Sequence, residues 1–142
     1  MTAKEYLKQL YILDMRYKSK MEEVIDLREL VTSVGAIRYD KEQVQTSKRN
    51  DQLVNAVIKI TTAENEAMRR SVELADKRQE IIDRIINLDD GNYIRILCMH
   101  YVHYKKFEDI SDAMHYSCDW IRHLHGEALK AFESKYPEIL KE

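Results

Sequence analysis

The chain has 142 residues, 44% hydrophobic and 34% charged, with three Gly, one Pro and a formal net charge of −2. That length holds one domain or two small ones. So few helix breakers among abundant charged residues, Leu, Ile and Ala point to an all-α fold. The two cysteines, Cys98 and Cys118, exclude a disulfide framework and make a reducing cytoplasm the expected compartment. No apolar run reaches the roughly 20 residues of a membrane span. The opening MTAKEYLKQLY lacks the continuous apolar stretch and small-residue cleavage site of a secretory signal.

From about Thr2 to Thr32, apolar residues recur in steps of three and four at Tyr6, Leu10, Leu13, Tyr17, Met21, Val24, Leu27 and Val31. This spacing predicts one long amphipathic helix. Thr2 and Glu5 have the spacing of a capping box, and Gly35 is the expected stop. The span 33–51 is polar and carries no stripe, so it reads as a flexible connector. A second long helix is predicted from about Gln52 to Leu88, with a stripe through Leu53, Val57, Ile60, Ala67, Val72, Ala75, Ile82 and Ile85. The expected architecture of residues 1–88 is therefore a long antiparallel helical hairpin resembling a coiled coil. Its apolar surface suggests pairing of two copies, a homodimer.

LDDGN, Leu88 to Asn92, marks an internal boundary, with Asp90 or Asn92 placed to cap the next helix. Short helices are predicted at about Tyr93–Tyr101, Phe107–Met114 and Cys118–Phe132, forming a small domain over 89–142. Within it, Ile110, Ser111 and Met114 precede an interruption at His115, Tyr116 and Ser117. A new stripe then runs through Ile121, Leu124, Ala128 and Leu129. A small residue at the crossing and apolar residues on both sides are what a helix-turn-helix requires. Ser117 is placed to cap the second helix. His115 occupies the turn position that Gly often takes, and His tolerates positive φ better than most residues.

With Ile121, Leu124 and Ala128 facing the core, Asp119, Arg122, His123 and Gly126 face outward, where a helix-turn-helix meets the major groove. Arg122 suits guanine, because its planar fork matches two acceptors. His123 suits a base or a phosphate, and Asp119 can accept from cytosine. Lys105, Lys106 and Lys130 are candidate backbone contacts. Ser117 begins the same helix, and Trp120 either covers the domain or touches the DNA backbone. Residues 91–142 hold seven Lys or Arg against eight Asp or Glu, little positive charge for an interface dominated by phosphates.

The run LDDGNYIRILCMHYVHYKKFEDISDAMHYSCDWIRHLHGEALKAF resembles the region 4 helix-turn-helix of sigma-70-type factors. The landmarks are Ile96-Leu97 with Tyr101, Phe107-Glu108-Asp109-Ile110, Ser117, Ile121 and Ala128-Leu129. With the long hairpin and its VQTS connector, the chain is similar to a family of short sigma-like phage and prophage regulators once known only as a domain of unknown function. ArpU- and RinA-type late-gene activators are similar in kind. The resemblance implies double-stranded DNA and RNA polymerase as partners and a bacterial host cytoplasm. That family commonly has Ala where Ser111 stands and Gly where His115 stands, and more basic residues in the recognition helix.

Chemistry is not expected. Cys98, His100, His103, Cys118, His123 and His125 could supply metal ligands, but Cys98 and His100, like His123 and His125, are two apart and point to different helix faces. Zinc sites favour wider spacings, so no metal or cofactor is expected, and the imidazoles read as surface residues. Cys118 near His115 is the one suggestive nucleophile pair, and nothing supplies an orienting third group. Tyr93, Tyr101, Tyr104 and Tyr116 either stack on bases or fill the small core. The expected function is a DNA-binding transcriptional regulator without catalytic residues. The alternative is a helical assembly protein, either a small-terminase-like DNA-packaging subunit or a protein-interaction scaffold.

Overall fold

A computed structural model describes residues 1–39 and 46–141, with side chains described except at 34–39, 46, 47 and 49. The described residues form six α-helices and no strand, so the fold is all-α. The helices are α1 (Ala3–Tyr39), α2 (Thr46–Ile86), α3 (Gly91–Leu97), α4 (Phe107–Met114), α5 (Cys118–Lys135) and α6 (Pro137–Leu140), with a π-helical turn at Cys98–Val102 after α3.

Local chemistry sets most of the boundaries. At the start of α1, Thr2 N donates to Glu5 Oε2 at 2.8 Å and Glu5 N donates to Thr2 Oγ1 at 3.2 Å. This is the reciprocal capping box, which satisfies two otherwise orphaned donors. Asp90 caps α3, its Oδ1 accepting from the amides of Asn92 and Tyr93 at 2.8 and 3.3 Å. Helix α1 does not stop at Gly35 but runs on to Tyr39, and α2 begins at Thr46. A single glycine inside a helix costs only about 1 kcal/mol relative to Ala, too little to end a helix that no Pro interrupts. Much of the expected connector at 33–51 is therefore helix, and its middle, 40–45, lies outside the described residues.

The chain divides into two compact units, Met1–Asp14 with Leu74–Glu142, and Met15–Glu73. In the first, the apolar stripe of α5 runs from one core into another along the length of the helix. Ala128 and Phe132, both fully buried, enter a core with Tyr6, Leu7 and Leu10 of α1, Ile81 and Ile85 of α2, and Leu97. Ile121 and Leu124 enter a smaller core with Ile96, Ile110 and Met114. The expected division at 88/89 is thus not where packing breaks, because the ends of the long helices cover the C-terminal part of the α5 stripe. Hydrogen bonds tie the same elements together: Ala3 N donates to Glu133 Oε1 at 3.1 Å, and the Tyr136 hydroxyl donates to the Arg84 carbonyl at 2.7 Å. The Arg84 guanidinium lies over the rings of Tyr6 and Tyr136, at 5.2 and 5.6 Å.

In the second unit, α1 and α2 pack through Val24, Ala63 and Ala67, flanked by Met21 and Leu27. The alanines let the helices approach, and Arg28 Nε donates to Glu64 Oε1 at 3.1 Å beside this contact. This packing occupies one face of α2. Another face exposes large apolar residues, including Val54, Ile58, Met68 and Val72.

Candidate nucleic-acid interface

The α4–α5 pair is built around one left-handed residue. Helix α4 ends at His115, with φ 60° and ψ 39°. The backbone N–H groups of His115 and Tyr116 both return to the Ser111 carbonyl, the latter at 3.2 Å. The Ser111 hydroxyl donates in turn to the Tyr116 carbonyl. A serine at this position therefore does more than permit a close crossing: it closes the turn. A non-Gly residue in this region carries strain that His bears more readily than a branched side chain. The chain then becomes extended at Ser117, whose Oγ accepts from the Trp120 amide at 3.2 Å and caps α5.

Beneath the turn, Ile96, Ile110 and Ile121 are fully buried, with Met114 and Leu124 nearly so. Arg95 of α3 reaches the Ala113 carbonyl at 3.5 Å and braces the end of α4. The core fixes the rotation of α5. Ser117, Asp119, Trp120, Arg122, His123 and Lys130 all lie on its exposed side, while Gly126 is half-buried. A Cβ added at Gly126 would meet no other atom within 4 Å. Lys105 and Lys106 are also exposed, immediately before α4.

The exposed charges are partly neutralised by neighbours. Arg122 Nη1 lies 3.2 Å from Asp119 Oδ1, and Lys130 Nζ lies 3.6 Å from Glu127 Oε1. The Trp120 and His123 rings lie 5.1 Å apart and tilted, with Trp120 46% exposed. Trp120 thus does not fill the core. Together the two rings form an exposed aromatic pair beside the Arg122–Asp119 pair.

One cluster escaped sequence reasoning. His100 stacks on Phe107 at 4.6 Å and meets His125 edge-on at 5.2 Å. The Tyr101 hydroxyl and His125 Nε2 are 2.7 Å apart. His100 and His125 are half-buried, not surface imidazoles as their sequence context suggested. Residue spacing speaks for one helix at a time, whereas these rings converge from the π-helical turn and from α5. The turn itself, with His103 N bonded to the Cys98 carbonyl at 3.1 Å, widens the helix by one residue, and no local sequence signal announces it. His100 Nδ1 lies 2.8 Å from the Lys105 carbonyl, so donation from this nitrogen ties down the loop that carries Lys105 and Lys106. Tyr104, within that loop, is left-handed at φ 57° and meets Tyr11 edge-on at 5.4 Å.

Burial pulls the His125 pKa from 6.5 down to about 4, with further contributions from His100, Lys4 and Lys8. Burial also raises Tyr101 to about 12 and pushes the Cys98 thiol up. Among the described residues, no three His, Cys, Asp or Glu side chains are grouped to hold a metal ion, and no helix is long and apolar enough to cross a membrane. Cys98 and Cys118 are half-buried free thiols.

No family model, curated protein or solved structure matches this chain.

Proposed function

We propose that this protein is a DNA-binding transcriptional regulator of the sigma-like phage and prophage kind, acting in a bacterial host cytoplasm. The observation that carries the reading is the α4–α5 unit. Its left-handed turn at His115 and capped start at Ser117 support a helix whose first two turns present Asp119, Trp120, Arg122 and His123 away from the core. Helix α5 enters the major groove by that end. Arg122 reads a guanine edge, His123 and Trp120 contact base or backbone, and Ser117, Lys105, Lys106 and Lys130 contact phosphates. The chain carries no catalytic role. It works by placing itself on a promoter and contacting RNA polymerase.

The near balance of charge over residues 91–142 makes a single copy a weak DNA ligand, since phosphate neutralisation supplies most of the affinity. Pairing two copies through the long helices doubles the available cations. The exposed apolar face of α2 supports such pairing. It also favours a second reading, a ring-forming subunit of a DNA-packaging assembly.

Selection from a pool of random duplexes tests the proposal. A regulator enriches one motif over successive rounds. Recovery of a pool no different from the input, at moderate salt, excludes sequence-specific readout.

A further inference from the structure

We infer that α2 pairs with α2 of a second copy in parallel, along the seam Val54, Ile58, Thr61, Asn65, Met68 and Val72, with Asn65 setting the register. This rests on the reading that the long helices join two copies, and it specifies the face and the direction.

The successive steps along this seam are four, three, four, three and four residues. That is the heptad spacing that keeps one stripe facing a partner helix. All six residues are exposed, with Val54, Ile58, Met68 and Val72 each more than half exposed. The stripe is separate from Ala63 and Ala67, which face α1. It continues into an apolar groove where Met68 lies beside Tyr17, Met21 and Ile25. A run of large apolar residues this long and this regular on one exposed helix face marks an interaction surface.

The occupant follows from the one amide in the seam. Asn65 stands where heptads with a single polar a-position residue place it. Against an apolar partner its amide would lose water without gaining a bond. Against Asn65 of a second copy, each amide both donates and accepts. Charge then selects the direction. Glu64 and Arg69 flank the seam with side chains 40% and 71% exposed. In a parallel pair, Glu64, which binds Arg28 through Oε1, lies beside Arg69 of the other copy and offers it Oε2. An antiparallel pair centred on Asn65 sets Glu64 beside Glu64 of the other copy, placing like charges together. Arg69 can leave Glu66 with little penalty, because Glu66 also accepts from Arg70 at 3.2 Å.

The test uses the full chain, with mass measured by sedimentation equilibrium. The wild type has the mass of two chains. Ile58→Glu combined with Met68→Glu has the mass of one, with unchanged far-ultraviolet circular dichroism, because both side chains are exposed within a single copy. Asn65→Cys, in a Cys98→Ala and Cys118→Ala background, oxidises almost completely to a covalent dimer, and so does Thr61→Cys. A dimer that survives the double glutamate substitution overturns the inference alone and leaves pairing through another face. A dimer in which Thr61→Cys does not cross-link to itself overturns the parallel direction. A monomeric or ring-forming wild type overturns both the seam and the pairing of two copies, whatever the DNA selection shows.

Discussion

Arg122 and Asp119 form an ion pair across one turn of α5, with Nη1 3.2 Å from Oδ1. The side chains are 62% and 94% exposed. An exposed pair of this kind contributes roughly 0–1 kcal/mol, less than the ~1–3 kcal/mol of discrimination a bidentate arginine–guanine contact provides. On the proposed reading, Arg122 exchanges this weak pairing for a guanine edge. Asp119, in the first turn, also complements the positive end of the helix.

The two residues have opposite expected effects on DNA binding. Asp119→Asn removes an anion from the proposed DNA-binding surface and is expected to raise affinity for all duplexes. Arg122→Ala lowers affinity for the selected duplex by about tenfold or more and barely changes binding to random DNA. Gel-shift titrations of both variants on both duplexes check this. Equal losses on both duplexes for Arg122→Ala would reduce Arg122 to a phosphate contact.

The lysines are expected to act through salt rather than sequence. Replacing Lys105, Lys106 or Lys130 by Ala lowers the slope of log affinity against log salt concentration by about 1 for each phosphate no longer neutralised, with sequence preference unchanged. Measuring affinity over a series of salt concentrations gives the slope. Lys130 is already 3.6 Å from Glu127, so its effect is the smallest of the three.

Turn chemistry should be visible in stability. Ser117→Ala removes the cap on α5 and lowers stability by about 1 kcal/mol. His115→Val forces a branched residue into the left-handed region and destabilises, whereas His115→Gly is neutral or stabilising. Urea unfolding monitored by circular dichroism distinguishes them. A stable His115→Val variant would mean that the turn does not hold His115 at φ 60°.

Acid should loosen the unit formed by Met1–Asp14 and Leu74–Glu142. The His125 ring faces His100, Tyr101, Phe107, Lys4 and Lys8, and its pKa falls from 6.5 to about 4. Between these values the unfolded chain binds a proton that the folded chain refuses, so stability rises with pH across the window and is lost as pH falls through it. One proton gives at most ~1.4 kcal/mol per pH unit, reduced by solvent screening at a half-buried ring. Unfolding free energies measured from about pH 6.5 down to about pH 5 show this slope, and His125→Gln flattens it. An identical slope in His125→Gln would assign the acid sensitivity to other groups.

What the sequence made legible was local. The Thr2–Glu5 box, the Asp90 and Ser117 caps, the limits of α4 and the left-handed His115 each depend on a few neighbouring residues. The exposed positions of Arg122, His123 and Lys130 follow from the Ile121, Leu124 and Ala128 stripe. The rest is tertiary. Phe132 and Tyr6 stack at 5.9 Å although they stand near opposite ends of the chain, so the shared core has no local signature. His100 and His125 converge from the π-helical turn and from α5, two elements that no single helical period links. The continuation of α1 past Gly35 reflects how small a glycine penalty is beside a long run of helix-favouring residues.

Competition binding decides whether α5 distinguishes one DNA sequence from another. Wild-type protein on a labelled duplex carrying the selected motif is challenged with unlabelled motif and with unlabelled random duplex, at physiological salt. The motif is expected to compete roughly a thousandfold better or more, within the ordinary span between specific and non-specific binding, and Arg122→Ala to lower that advantage by about tenfold or more. Equal competition by both duplexes, in wild type and variant alike, would contradict sequence-specific DNA binding by α5.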